Sequence, residues 1–260
     1  MTTLKCLGDM KSKYLLVFLF VLIVEFAYSQ ETKTLSTLFI KADDSLEWNR
    51  KEQTILANGN AKVHNEEMEI QAAKIIAKYE GEIKDNKFKL ISAYKGFWKN
   101  KDIIVNGEKI YYNIYKREVY VIGKKISVSS KSDKIFCNKK INYIKLKNIL
   151  EASGNCIVEM KNNQKLSANN ISASIDQNGE ILKFSANGLV NVFLNEDLKS
   201  VRANQAEYNK LSSTIYLEGN IELLVGSSYL KGDTAKINIK TGFAQVFSDQ
   251  DKNVTGLIKN

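Results

Sequence analysis

The stretch Thr214–Val225, TIYLEGNIELLV, decides the fold class. One set of alternate positions is apolar or glycine: Ile215, Leu217, Gly219, Ile221, Leu223 and Val225. A period of two with one apolar face is typical of a β-strand that is buried on one side. Residues 55–63 and 182–194 alternate in the same way, and no window beyond the N-terminal segment shows helical spacing. The sequence therefore predicts an all-β fold of antiparallel strands.

These strands belong to a repeat. Gly-Asn or Gly-Lys recurs at Gly59, Gly123, Gly154 and Gly219, and a second phrase begins with a small residue every 29 to 35 residues. Spacing in this range indicates a repetitive architecture. A shift of 95 or 96 residues also maps many positions onto each other, for example Ala57 onto Ala152. We predict two tandem copies, residues 30–133 and 134–247, in which a seventh repeat, 230–247, ends the second copy, and a flexible polar tail at 248–260.

The recurring glycine lies on the apolar face of each strand, at the same level in each repeat. Glycine inside a strand often marks a bulge or a bend. Stacked glycines could kink all the strands together and produce an open, V-shaped stack of two sheets. The alternative is a tight sandwich in which each glycine only relieves crowding.

The N-terminus has the features of an export signal. Lysines precede an uninterrupted apolar run from Tyr14 to Val24, which is too short to span a bilayer as a helix. Ala27-Tyr28-Ser29 places small residues at the positions that signal peptidase requires. We expect residues 1–29 to be a signal peptide that is cleaved after Ser29, which would deliver the protein to the periplasm. The alternative is an uncleaved membrane anchor.

The charge balance favours anionic partners of low specificity. The chain has 38 basic and 29 acidic residues, and only Arg50, Arg117 and Arg202 are arginines. Sequence-specific readers of nucleic acid rely on bidentate arginine. A surplus of lysine is better suited to anionic lipid or phosphate, although a basic surface without any ligand would have the same composition. We predict no nucleic-acid partner.

Residue patterns for catalysis are not found in the sequence. His64 is the only histidine, so a zinc site with several histidines is excluded. The acidic pairs Asp43-Asp44 and Glu66-Glu67 fall at a strand entrance and in a turn, where solvated charges are the simpler interpretation. Nucleophile-elbow, P-loop and dinucleotide fingerprints do not occur. We therefore predict no enzyme, no metal site and no cofactor. A polysaccharide-cleaving β-helix enzyme would need acids that converge on one groove.

Two cysteines, Cys137 and Cys156, remain after the predicted cleavage. If residues 135–143 and 149–158 form a hairpin that turns at Lys145–Asn148, Cys137 lies directly opposite Cys156. A non-hydrogen-bonded pair brings Cα atoms to about 4.5 Å, which is within the range of a disulfide. Two small buried thiols would fit the same positions.

The repeated phrase resembles the OstA-like repeat of the LptA family. It consists of a small residue, alternating apolar or aromatic residues, a turn, and x-Ala-x-Gly-Asn-x-x-Val. The closest stretches are Ile40–Val63, Lys147–Val158 and Ser200–Leu223. The resemblance covers about residues 40–247 and implies an extended β-jellyroll whose apolar interior binds the acyl chains of lipopolysaccharide. Inward-facing positions would line that interior: Trp48, Ile55, Val63, Ile75, Tyr79, Tyr112, Val119, Val121, Phe184, Tyr208, Ile215, Leu217, Ile221 and Leu223. As a pure core, the same residues would need no ligand.

The resemblance also implies a function and partners. The expected protein is a periplasmic carrier that shields lipid A and bridges the inner and outer membranes by edge-to-edge contact with OstA-like partners. Head-to-tail self-association is expected in addition. Two alternatives remain open, namely a membrane-anchored transfer component like LptC, and a structural β-repeat scaffold without a lipid.

Overall fold

A computed structural model describes residues 37–81, 87–160, 164–176, 178–193, 200–249 and 252–258. The predicted signal peptide and its cleavage site at Ser29 lie outside the described residues. Within the described ranges, no helix is long and apolar enough to cross a membrane. The residues from Thr37 onward form one compact unit.

The described structure is almost entirely β, which confirms the predicted fold class. One short 3-10 helix, Lys145–Lys147, interrupts the series of strands. The strands are β1 Phe39–Lys41, β2 Ser45–Asn49, β3 Thr54–His64, β4 Glu69–Glu80, β5 Lys87–Lys99, β6 Ile104–Asn113, β7 Glu118–Ile122, β8 Ile126–Ser129, β9 Lys134–Cys137, β10 Lys140–Ile144, β11 Ile149–Glu159, β12 Lys165–Ile175, β13 Ile181–Phe193, β14 Ser200–Asn209, β15 Thr214–Val225, β16 Ser228–Asn238, β17 Ala244–Phe247 and β18 Thr255–Leu257.

The strands stack as antiparallel rungs in chain order. Ten rungs are single long strands, and four are pairs of short strands: β1 with β2, β7 with β8, β9 with β10, and β17 with β18. Each long strand has two halves with different neighbours. In β3, for example, residues 62–64 pair with β1 and residues 54–58 pair with β2. We call the half-sheet that contains β1, β8, β9 and β18 arm A, and the half-sheet that contains β2, β7, β10 and β17 arm B.

The kink between the arms forms at the recurring glycine. Gly59 has a φ of +77°, Asn60 follows at +42°, and the β3–β4 register shifts there by one residue. A Cβ on Gly59 would lie 2.3 Å from the carboxylate of Asp44, so a larger residue does not fit. Gly219 has the same conformation beneath Asn204. The predicted kink at one level of the stack is therefore present in the structure.

The strand boundaries follow the repeat. β11 lies 95 residues after β3, and β14 lies 96 residues after β6, with the same lengths. The fourteen rungs correspond to seven two-strand repeats. The expected boundary at 133/134 falls between β8 and β9, which pair with each other, so hydrogen bonding continues from one copy into the next. Part of the expected flexible tail is strand, because Thr255–Leu257 pairs with β16 and extends arm A.

At the junction of the copies, the pairings close a ring of six strands, β6–β7–β10–β11–β9–β8. The ring exists because two neighbouring rungs are interrupted at the kink, by residues 123–125 and 138–139. It therefore surrounds a local gap in the hydrogen bonding of the stack.

Candidate lipid-binding interior

The predicted lining residues lie almost entirely between the two arms. Eleven of the fourteen are buried: Val63, Ile75, Tyr79, Tyr112, Val119, Val121, Phe184, Ile215, Leu217, Ile221 and Leu223. Ile55 and Tyr208 are half-buried and pack against the same core. The alternation that predicted these strands therefore also selects the inner face.

Trp48 departs from this pattern, because its side chain is 48% exposed. It belongs to β2, in the first rung. Among the described strands, β2 pairs with β3 on one side, and no strand covers its other edge. Its Nε1 donates a hydrogen bond of 2.7 Å to the hydroxyl of Tyr79, and the guanidinium of Arg50 lies 5.2 Å from its ring. Trp48 therefore faces inward as expected, since it lies directly opposite Ile55 in the register, but it stays exposed because its strand lies at the edge of the stack.

Most of the predicted lining residues lie on arm B, and the sequence interpretation missed their counterparts on arm A. Trp98 is the largest fully buried side chain there, and its Nε1 has no hydrogen-bond partner. Other buried residues of arm A include Ile70, Val105, Val128 and Val201. In strands such as β4 and β14, the inward alternation shifts by one position at the kink, so a single alternating pattern drawn along these strands covers only one arm. Restarting the alternation after each kink would have identified them.

The two arms meet in the interior. The ring of Trp98 on arm A lies 6.0 Å from that of Tyr112 and 6.0 Å from that of Tyr143, both on arm B. Deeper along the stack, isoleucines and leucines of both arms leave a cavity of only about 10 Å³. The expected open trough is thus partly closed by side chains. A cavity of about 340 Å³ remains between the arms where Asp133 and Gln164 of arm A face Tyr208 and Ile239 of arm B.

Contacts between turns of arm A and turns of arm B close the interior on the side away from the kink. The ends of the two arms that lie farthest from the kink face each other along a line, and we call this line the mouth. Glu67, in the β3–β4 turn of arm A, bonds to Arg117 Nη2 at 3.1 Å and to Lys145 Nζ at 3.2 Å. Both cations belong to turns at the end of arm B. One carboxylate therefore ties two turns of the opposite arm.

Two further bonds cross the mouth, one between the copies and one within the second copy. A carboxylate oxygen of Asp133 on arm A accepts a hydrogen bond of 3.1 Å from the backbone N–H of Ile181 on arm B. Gln164 Nε2 donates to the carbonyl oxygen of Ile239 at 3.0 Å. The mouth is therefore held by a few polar bonds, whereas the interior is held by apolar packing.

The surroundings of three tyrosines near the mouth raise the pKa values of their hydroxyls. Burial, and secondarily the charge of Glu67, raises the pKa of Tyr112 to about 12. Burial also raises the pKa values of Tyr143 and Tyr208, with smaller contributions from Asp102 and Asp133 respectively. These hydroxyls are neutral at physiological pH, which suits an apolar interior.

The cysteines lie where the hairpin prediction placed them. β10 pairs with β11 and β9 pairs with β11 in the predicted register, across a turn that ends at Asn148. Cys137 and Cys156 are joined as a disulfide, with their Cα atoms 4.4 Å apart. Both side chains are buried on the inner face of arm A, so the bridge links two neighbouring rungs beside the kink.

The acidic pairs considered as catalytic candidates have other contacts. Asp43 accepts a hydrogen bond from Asn60, and Asp44 lies over Gly59. The ring of His64 stacks on that of Phe39 at 5.2 Å. In the described part of the chain, no group of three or more histidine, cysteine or acidic residues has a geometry that could hold a metal ion.

Part of the chain matches a known family of proteins. Residues 138–243, which run from just before β10 to just before β17, match the model described as LptA/(LptD N-terminal domain) LPS transport protein. That segment is similar to the LptA/LptD N-terminal domain. The OstA-like resemblance is confirmed over that segment. The 95-residue repeat relates the first copy to the matched segment, because β3 has the length of β11 and the same kink.

A comparison with solved structures gives a distant similarity. The crystal structure of LptH from Pseudomonas aeruginosa, described as the LptA-homologous periplasmic component of the lipopolysaccharide transport device, is 16% identical. The match covers 46% of this chain and 83% of LptH, with a TM-score of 0.41. The search among curated proteins gives no match.

Proposed function

We propose that this protein is a periplasmic carrier of lipopolysaccharide that shields the acyl chains of lipid A between its two arms. The observation that carries the proposal is the continuous apolar interior, which runs through the stack of rungs and includes both the segment similar to the LptA/LptD N-terminal domain and the copy before it. Burying one CH₂ group gains about 0.8 kcal/mol, so several acyl chains supply a large driving force for uptake.

Uptake requires the arms to separate. Residues such as Val121 and Ile215 have no exposed surface, so an acyl chain cannot touch them while the mouth is closed. Separation breaks the polar bonds across the mouth and replaces contacts between side chains with contacts to lipid. Contacts between apolar side chains and contacts to acyl chains are similar in kind, so replacing one with the other costs the interior little free energy.

The two ends of the stack are suited to docking with similar domains. The first rung exposes Phe39, Leu46 and Trp48, and the last rung exposes Phe247 and Leu257. A terminal rung also has unpaired backbone groups that can accept another strand. We propose head-to-tail contacts at these ends, either with OstA-like partners that form a bridge between the membranes or with further copies of this chain.

A structural scaffold without a lipid is the second candidate, and the partly closed interior favours it. Mass spectrometry of the protein extracted from its native compartment separates the two. Co-purified lipid A supports the carrier. Repeated extraction of a lipid-free protein, which also fails to bind added lipopolysaccharide, supports the scaffold.

We also propose that the Cys137–Cys156 disulfide is present in the exported protein, since an oxidising compartment allows it. The closed loop contains 18 intervening residues, and bridging loops of this size contributes roughly 3 kcal/mol in the chain-entropy description. Thiol counting on the denatured, unreduced mature protein tests this proposal. Two free thiols would contradict it.

A further inference from the structure

Five exposed lysines cluster on the outer side of the kink, at the junction of the two copies. We call this group, Lys109, Lys124, Lys125, Lys139 and Lys140, the lysine ridge. The register places Lys109 and Lys140 on either side of Ile122, in three adjacent strands. The backbone N–H of Gly123 donates to the carbonyl oxygen of Lys139 at 3.3 Å, which brings the two interrupted rungs together.

The positive charge of the ridge is not neutralised locally. Among the described residues, none of the five lysines forms an ion pair. One acid, Glu108, contacts the backbone of the ridge: its Oε1 accepts a bond of 3.1 Å from the backbone N–H of Lys124, and its side chain lies against Gly123. This carboxylate is therefore already engaged with the backbone.

The internal repeat shows that the fold does not require these lysines. Equivalent positions in the other copy are Gln205 for Lys109, Asp44 for Lys139 and Ser45 for Lys140. The pair Lys124-Lys125 stands where the second copy has the single residue Asn220. The same kink therefore forms with neutral or acidic residues at every one of these places.

The ridge lies on the face opposite the mouth. The arms enclose the interior on one side of the kink, so its outer side is convex and points away from the bonds made by Glu67. Ile122, which is 37% exposed, adds an apolar contact between two lysines. Lysine is a flexible point charge that suits laterally mobile phosphate headgroups, whereas the forked recognition of a fixed carboxylate favours arginine, and the ridge has none.

We propose that the lysine ridge docks this protein on a membrane surface that is rich in anionic phospholipids. Each lysine near such a surface strengthens binding by about fivefold, and the attraction decreases with salt. Docking through the ridge leaves the mouth and both end rungs free. The ridge would thus provide a lateral membrane contact that is independent of lipid uptake between the arms.

The test is co-sedimentation of the exported full-length protein with vesicles of phosphatidylcholine that contain about 30% phosphatidylglycerol, a composition chosen to represent an anionic surface. The ridge variant combines Lys109→Gln, Lys139→Asp and Lys140→Ser, which are the residues that the other copy has at these positions. The control combines Lys74→Gln, Lys78→Asp and Lys183→Ser, which changes the net charge equally at exposed lysines elsewhere.

We expect the ridge variant to bind anionic vesicles at least tenfold more weakly than the wild type, and the control to bind within about twofold of it. Equal losses in both variants would overturn the proposal. So would equal binding of the wild type to vesicles of pure phosphatidylcholine, or no binding to anionic vesicles, which would point to an acidic protein partner instead. Lipopolysaccharide capture by the ridge variant should stay unchanged, so this proposal and the carrier function can fail separately.

Discussion

Removing the carboxylate that ties the mouth should speed the uptake of lipopolysaccharide. Glu67→Gln keeps the shape of the side chain but removes both ion pairs, with Arg117 and with Lys145. The side chains of the three residues are 27–34% exposed, so solvent screens the pairs substantially. Partly exposed pairs contribute 0.2–1 kcal/mol each, which gives roughly 1 kcal/mol for the two together. The mouth should then open about fivefold more often.

The assay is the initial rate at which the purified protein captures fluorescent lipopolysaccharide, measured at low and at high salt. Glu69→Gln is the matched control, because Glu69 also bonds to two lysines, Lys62 at 2.8 Å and Lys99 at 3.3 Å, but all three residues belong to arm A. High salt should speed capture by the wild type and have less effect on Glu67→Gln. Equal rates for the wild type and both variants would refute the argument that the mouth controls uptake.

Three further predictions concern the interior, the tyrosines and the ends of the stack. Leu217→Asp should abolish most lipopolysaccharide capture, while the exposed control Lys74→Gln retains it. Circular dichroism checks that both variants stay folded. Full capture by a folded Leu217→Asp would contradict the carrier function. Because the pKa of Tyr112 is raised, its contribution to stability is present below pH 10 and is lost between pH 10 and about 12. Tyr112→Phe should therefore reduce the fall in stability over that range by roughly 2–3 kcal/mol in alkaline urea titrations, and an unchanged slope would show that the hydroxyl is not buried in solution. Leu46→Glu should weaken self-association in sedimentation velocity by placing a charge on the exposed first rung, and an unchanged concentration dependence would exclude that rung from the contact.

The sequence was sufficient to predict the rungs, because every rung follows one local rule. Strands such as Thr214–Val225 alternate strictly, and the glycine at each kink has a conformation and a crowded environment that other residues do not fit. The hairpin containing Cys137 and Cys156 was predictable for the same reason, since its register depends only on the turn between two neighbouring strands.

Contacts between distant rungs were not predictable in this way. Glu67 was interpreted as a solvated turn residue, but it meets Lys145, which is 78 residues away. The closing of the mouth depends on how far the two arms approach, and a pattern of alternating residues contains no information on that distance. The exposure of Trp48 likewise depends on which rung comes first, which the repeat itself does not show.

Site-specific photo-crosslinking to lipopolysaccharide shows whether acyl chains enter between the arms. A photoreactive residue is placed at the inward positions Val121 and Leu217, and in matched variants at the outward positions Asn58 and Glu218. We expect strong lipid labelling at both inward positions and background labelling at both outward positions. Equal labelling on the two faces would contradict this expectation.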